Sequence, residues 1–228
     1  MKNMNKINLK NTTLISFNCV DPIQSVKALL YSSRKIDFAD MIIVSNQKPQ
    51  TIPEGIRHVS TDAVTHRDSC QWTYTELPYL VDTEYCLFIH DDGFVINPHL
   101  WNHDWLQYDY IGAPWKNYGQ RNRVGNGGFC FRSKKFLDLV KKISYRGTHC
   151  DTELSNDYYD YFVQNGCRYA PVEVAMKFSL ESRIPECEYN LDNCFGFHGR
   201  GHMDTTSVHD GYYQQFQEKC KLLDTVII

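Results

Sequence analysis

Apolar residues along this chain fall into short runs separated by polar turns, and the period within each run identifies its element. TTLISFNCV, residues 12–20, is rich in β-formers and predicts a buried strand. In DPIQSVKALLYSSRKI, Val26, Leu29, Leu30 and Ile36 fall at roughly helical spacing. Asp21 suits the N-cap of that helix and Pro22 its first position. MIIVSN, IRHVST and EYCLFIH predict three further strands, and SCQWTYTELPYLV a helix running up to its proline. Strand–helix–strand alternation over the first ninety or so residues points to an α/β layer with a mostly parallel sheet.

Residues 97–128 read as a loop packed with aromatics. FCFRS predicts another strand, and KKFLDLVKKIS a helix with Phe136, Leu137, Val140 and Ile143 on one face. SNDYYDYFVQNG is helical with Gly166 as its C-terminal cap, and a polar helix closes the chain around YYQQFQEKCKLL. The expected organisation is a polar leader over residues 1–12 and one domain over 13–228.

With 228 residues the chain can bury a sizeable core. Its net charge of −3 excludes a basic nucleic-acid binder. No apolar run approaches the roughly 18 residues of a membrane span, and the polar N-terminus lacks the apolar centre of a secretion signal. A cytoplasmic protein is expected. The nine cysteines are odd in number, scattered and without a C-x-x-C pair, which argues against a zinc ribbon and a disulfide framework. Those in EYCLFI and GFCFRS read as small buried hydrophobes.

The chemistry concentrates in four places. LFIHDDGFVINP runs a strand into His90, Asp91 and Asp92, where an α/β sheet places ligands beyond its strand ends. Adjacent carboxylates can hold a divalent cation, and Asp-Gly is equally a turn signal; the dipeptide alone leaves both open. In VGNGGF, Asn126, Gly127 and Gly128 allow close backbone approach to a ligand or simply a tight turn. His198 in FGFHG is either a metal ligand or a structural imidazole. Asp151 in THCDTELSND is either a general base or a helix-start residue.

NCVDPIQSVKALLYSSRKIDFADMIIVS, DDGFVINPHLWNHDWLQYDYIGAPW, VGNGGFCFRS, KFSLE and FGFHG, in that order, resemble a family of small GT-A-type glycosyltransferases that carries a domain-of-unknown-function label. The resemblance covers roughly residues 13 to 200. It implies a GT-A-like single domain that moves a sugar from a nucleotide-sugar donor, UDP by default, to a saccharide or glycan hydroxyl. It implies Mn²⁺ or Mg²⁺ held by Asp92, with Asp91 as second ligand or donor contact and His198 as a late ligand. Asn126, Gly127 and Gly128 match the segment beside the transferred sugar, and Asn18 and Asp21 belong near the nucleotide. Asp151 is the implied base of an inverting displacement, with Glu153 as the second candidate. Relatives usually carry Glu-Asp where this chain has Cys150-Asp151. The alternative is a non-catalytic carbohydrate- or nucleotide-binding module on the same fold. A nucleotidyltransferase fits less well, because FNCVDPIQS has no glycine for a phosphate loop.

Overall fold

Six strands make the central sheet: β1 (Ile7–Phe17), β2 (Ile36–Ser45), β3 (Arg57–Ser60), β4 (Tyr85–Ile89), β5 (Tyr110–Gly112) and β6 (Phe129–Ser133). They lie in the order β3-β2-β1-β4-β6-β5. The first four are parallel, and β6 runs antiparallel between β4 and β5. The computed structural model describes residues 6–116, 120–187, 190–199 and 212–228. The α/β class with a mostly parallel sheet, expected from the alternation of elements, is the observed architecture.

Both faces of the sheet are covered, so the strands read as near-continuous apolar runs. Leu14, Leu87, Ile89, Phe129 and Phe131 face one core with α1 (Pro22–Ser33). Ile15, Cys86, Phe88 and Cys130 face the other. That second core includes residues of α2 (His66–Thr75), α3 (Leu77–Leu80), α4 (Lys134–Val140) and a later helix. After α4 come a helical turn, α5 (Cys150–Thr152), then a π-helical turn (Glu153–Asp157), α6 (Tyr159–Gln164) and α7 (Val172–Phe178). Two short parallel strands, β7 (Ser179–Leu180) and β8 (Gly196–Phe197), pair with each other, and α8 (Tyr212–Cys220) follows. All nine cysteines are free thiols. Among the described residues no helix is long and apolar enough to cross a membrane.

Several boundaries differ from the sequence pattern. β1 starts at Ile7, inside the segment read as a leader, because parallel pairing to β2 from Ile7↔Ile36 buries Leu9; residues 1–5 lie outside the described ones. Ile36 opens β2 and does not continue α1, which ends at Ser33. α2 ends at Thr75, short of Pro78 as expected, and Pro78 sits at the start of the separate α3, where its missing N–H costs nothing. β5 lies within the stretch read as loop, and Trp105 and Tyr110 there are core residues. Gly166 does cap its helix, with φ of 78°.

Phe136 is fully buried and stacks on Phe162 with ring centroids 4.1 Å apart. Phe136→Ala is expected to cost about 3–5 kcal/mol, read as a lower urea midpoint with unchanged slope.

Candidate metal centre and its surroundings

β4 ends at Ile89 and the chain reverses at once. His90 and Gly93 exchange both backbone hydrogen bonds, at 3.0 and 3.2 Å, closing a tight turn around Asp91 and Asp92. The far side of the turn is pinned by Arg34, whose guanidinium donates to the carbonyls of Val95 (3.0 Å) and Ile96 (2.6 Å). Because β6 is antiparallel to β4, with Ile89 opposite Phe129, the Asn126–Gly127–Gly128 loop that precedes β6 lies beside this turn.

The turn aims its residues in two directions. His90 and Asp92 join His198 in a group whose ligand atoms all lie within 4.8 Å of one another. Asp91 instead lines a cavity of about 630 Å³ with Asn18, Asp21, Gln24 and Lys221. The group thus combines His90 and His198 with Asp92 where a pair of carboxylates was expected, and Asp91 lies in the cavity lining, in keeping with the other expectation for it, a donor contact. A larger cavity, about 680 Å³, opens beside β3 and α2 and is lined by none of these residues.

His198 arrives from β8. In the parallel ladder Leu180 pairs with Phe197, so the next residues, Glu181 and His198, emerge side by side. Their side chains meet with Nδ1 2.7 Å from Oε1 of Glu181, and His198 Nε2 faces Oδ1 of Asp92 at 3.6 Å. The same Oε1 accepts from Asn126 Nδ2 at 2.7 Å, and Oε2 accepts from the Trp115 indole at 2.9 Å. Asn126 Oδ1 in turn accepts from the amides of Gly128 and Phe129, which closes the loop. A Cβ at Gly128 would lie 1.9 Å from His198 Nε2, and one at Gly93 2.9 Å from its Cδ2. The imidazole thus occupies space that only glycines leave open.

The donor set suits a divalent cation. Burial, together with the charge of His198, lowers the pKa of His90 to about 4, so its imidazole is neutral near pH 7. Burial alone would lower His198 too, but the Glu181 hydrogen bond and the charges of Glu181, Asp92 and Asp151 raise it to about 9. Two imidazoles and one carboxylate, the mixed set present here, fit Mn²⁺ better than Mg²⁺, which prefers oxygen alone.

The two acidic candidates on the 150s segment differ sharply. Asp151 lies against the glycine loop, its Oδ2 accepting from the Gly127 amide at 3.3 Å. Its pKa is raised, first by burial and then by the charge of Glu181. Glu153 is fully buried and accepts from Tyr74 Oη, the amides of Arg146 and Thr148, and the Thr148 hydroxyl. Burial raises its pKa, but those hydrogen bonds hold it below the ordinary range. Through these bonds Glu153, the second candidate base, ties down the loop before α5. Asn18 and Asp21 act locally as well as lining the cavity: Asn18 accepts from the amides of Val20 and Asp21, and Asp21 caps α1 through the Gln24 amide.

Residues 52–198 match the family described as "Protein of unknown function (DUF5672)". The chain belongs to this family. The DUF5672 segment contains the His90–Gly93 turn, the glycine loop, Asp151 and Glu181, and it closes on His198. No curated protein matches the chain in sequence. Among solved structures, the galactosyltransferase LgtC in complex with donor and acceptor sugar analogs aligns with a TM-score of 0.49 at 12% identity, over 94% of this chain and 97% of that one.

Two residues were missed in the sequence. His90 was placed at the strand end with Asp91 and Asp92 but not named as a ligand, and Glu181 was not singled out at all. His90 carries a signal in principle, since an imidazole beside a carboxylate at a strand end is a ligand pair. Glu181 carries none, because two-residue strands are too short to show a period.

The raised pKa of His198 fixes a sign. Its protonated form stabilises the metal-free fold fully below its ordinary value near 6.5, and that contribution is lost as pH rises through about 9. The stability advantage of wild type over His198→Asn in urea unfolding is expected to shrink across this window, by at most roughly 3 kcal/mol.

Proposed function

We propose that this protein is a metal-dependent glycosyltransferase of GT-A type. It takes a nucleotide-sugar donor, with UDP as the first choice of nucleotide, and transfers the sugar to a hydroxyl of a saccharide or glycan. The observation that carries the reading is the His90–Asp92–His198 group at the carboxyl end of β4, directly beside the glycine loop and Asp151. The sheet supports it as well. The chain steps outward from β1 to β2 and β3, then returns to β4 on the other side of β1, which makes a topological switch point there. Ligands of open α/β sheets bind outside strand ends at such points. The cavity lined by Asn18, Asp21 and Asp91 at the end of β1 supports a nucleotide site beside the turn.

His90, Asp92 and His198 would hold Mn²⁺, which would neutralise the charge developing on a departing diphosphate. The chain's own residues do the rest. Gly128 leaves the room that the His198 ring fills and Gly127 the room that the Asp151 side chain fills, which lets both stand beside the donor sugar. The Asp151 carboxylate, its proton affinity raised by burial, takes the proton from the acceptor hydroxyl. The acceptor oxygen then bonds to the anomeric carbon as the bond from that carbon to the phosphate oxygen breaks, and the configuration inverts. Trp115, an aromatic of the 97–128 segment, is held at the site by its indole hydrogen bond to Glu181.

The test is a thermal-shift panel of UDP, GDP and CMP with their nucleotide sugars, with and without Mn²⁺. One nucleotide is expected to stabilise the protein only when Mn²⁺ is present, by about 2.7 kcal/mol at roughly a hundredfold excess over its Kd. Asp92→Ala is expected to remove that shift. No shift with any nucleotide would sink the donor reading and turn attention to a non-catalytic binding module. Asp151→Asn is expected to abolish transfer with donor binding intact; loss of binding as well would make Asp151 a donor-site residue.

A further inference from the structure

Glu181 is only 6% exposed, and among the described residues it is not one of the three that offer ligand atoms to the cation group. Among the described residues, N–H groups from three side chains converge on it: His198 Nδ1 and Asn126 Nδ2 at Oε1, both at 2.7 Å, and Trp115 Nε1 at Oε2, at 2.9 Å. The Asn126 amide cannot be turned round, because its oxygen is engaged by the Gly128 and Phe129 amides. Its NH₂ therefore faces both Glu181 and, at 3.0 Å, His198 Nδ1. Two nitrogens this close to each other and to one carboxylate oxygen are both donors to that oxygen. Nδ1 of His198 then carries hydrogen, and the nitrogen left to act as ligand is Nε2, which faces Asp92.

We propose that Glu181 is the positioning residue of this site: it selects the Nδ1–H form of His198, so that the Nε2 lone pair faces Asp92 and His90, and through Asn126 it fixes the glycine loop in register with that ligand. The inference rests on reading His90, Asp92 and His198 as a cation site. A metal-bound histidine whose other nitrogen is held by a carboxylate is more basic and better oriented, and losing such a partner typically costs about 10–100-fold in metal affinity. Here one carboxylate serves the ligand, the loop and Trp115 together, so its loss loosens all three.

Two readouts test this without any transfer assay. The first is a long-range proton–nitrogen NMR correlation on metal-free protein with ¹⁵N-labelled histidine at about pH 10, where a histidine with a raised pKa is neutral. His198, assigned by its absence in His198→Asn, is expected as the Nδ1–H tautomer in wild type and to move toward Nε2–H in Glu181→Ala. The second is Mn²⁺ calorimetry without nucleotide. Glu181→Ala is expected to bind about 10–100-fold more weakly. Glu181→Gln should be intermediate, because its amide oxygen still accepts from Nδ1. An Nε2–H tautomer in wild type, or Mn²⁺ affinity unchanged in Glu181→Ala, overturns the proposal. Should Glu181→Ala fail to fold, the wild-type spectrum and the Glu181→Gln affinity decide. If wild type binds no Mn²⁺ but shows the Nδ1–H tautomer, the cation reading fails while the positioning of His198 by Glu181 stands.

Discussion

Three carboxylates, Asp92, Asp151 and Glu181, act electrostatically on one imidazole, His198, and the rest of the site follows from how that crowding is tolerated. Like charges this close and this poorly solvated repel strongly unless a cation sits among them. In the metal-free protein the protonated imidazole is that cation, which is why its proton is held so tightly. The arrangement also demands room. Gly93 and Gly128 lie against the ring where any side chain would collide with it. Their role here is steric absence, and it ties the turn after β4 and the loop before β6 to the same histidine.

The sheet supplies the rigidity for this. β4 is paired on both sides, parallel to β1 and antiparallel to β6, and its alternating residues are buried in both cores. A strand held in this way cannot slip register without exposing one apolar face. The turn at its end therefore has a fixed origin, and Arg34 fixes its exit by bonding the Val95 and Ile96 carbonyls. From that one turn, Asp91 lines the cavity at the end of β1 while His90 and Asp92 face His198. A nucleotide in the cavity and a cation in the group would be neighbours by construction.

Environment also separates two carboxylates that are two residues apart. The π-helical turn beginning at Glu153 leaves Asp151 against the Gly127 amide, while Glu153 points into four donors beneath the loop. Burial pushes the proton affinity of one up, and hydrogen bonds pull that of the other down. A carboxylate with raised affinity is suited to take a proton; one saturated with donors is suited to hold structure.

Local pattern determined a good deal on its own. The α/β class, the α1 start at Asp21 and Pro22, the Gly166 cap and the burial of Cys86 and Cys130 follow from periodicity and cap chemistry, which act over a few residues. The candidate segments around Asp92, Asn126, Asp151 and His198 were legible because their residue types are chemically unusual at strand ends and in glycine-flanked loops. Which of those residues meet was decided by the tertiary structure. The side of the turn that Asp91 takes, the recruitment of His90 and the confinement of Glu153 depend on contacts between segments tens of residues apart. So does Glu181, paired with His198 only by the register of two strands of two residues each. Sequence spacing carries no information about such pairs, because the forces that set them act through space after the sheet has formed.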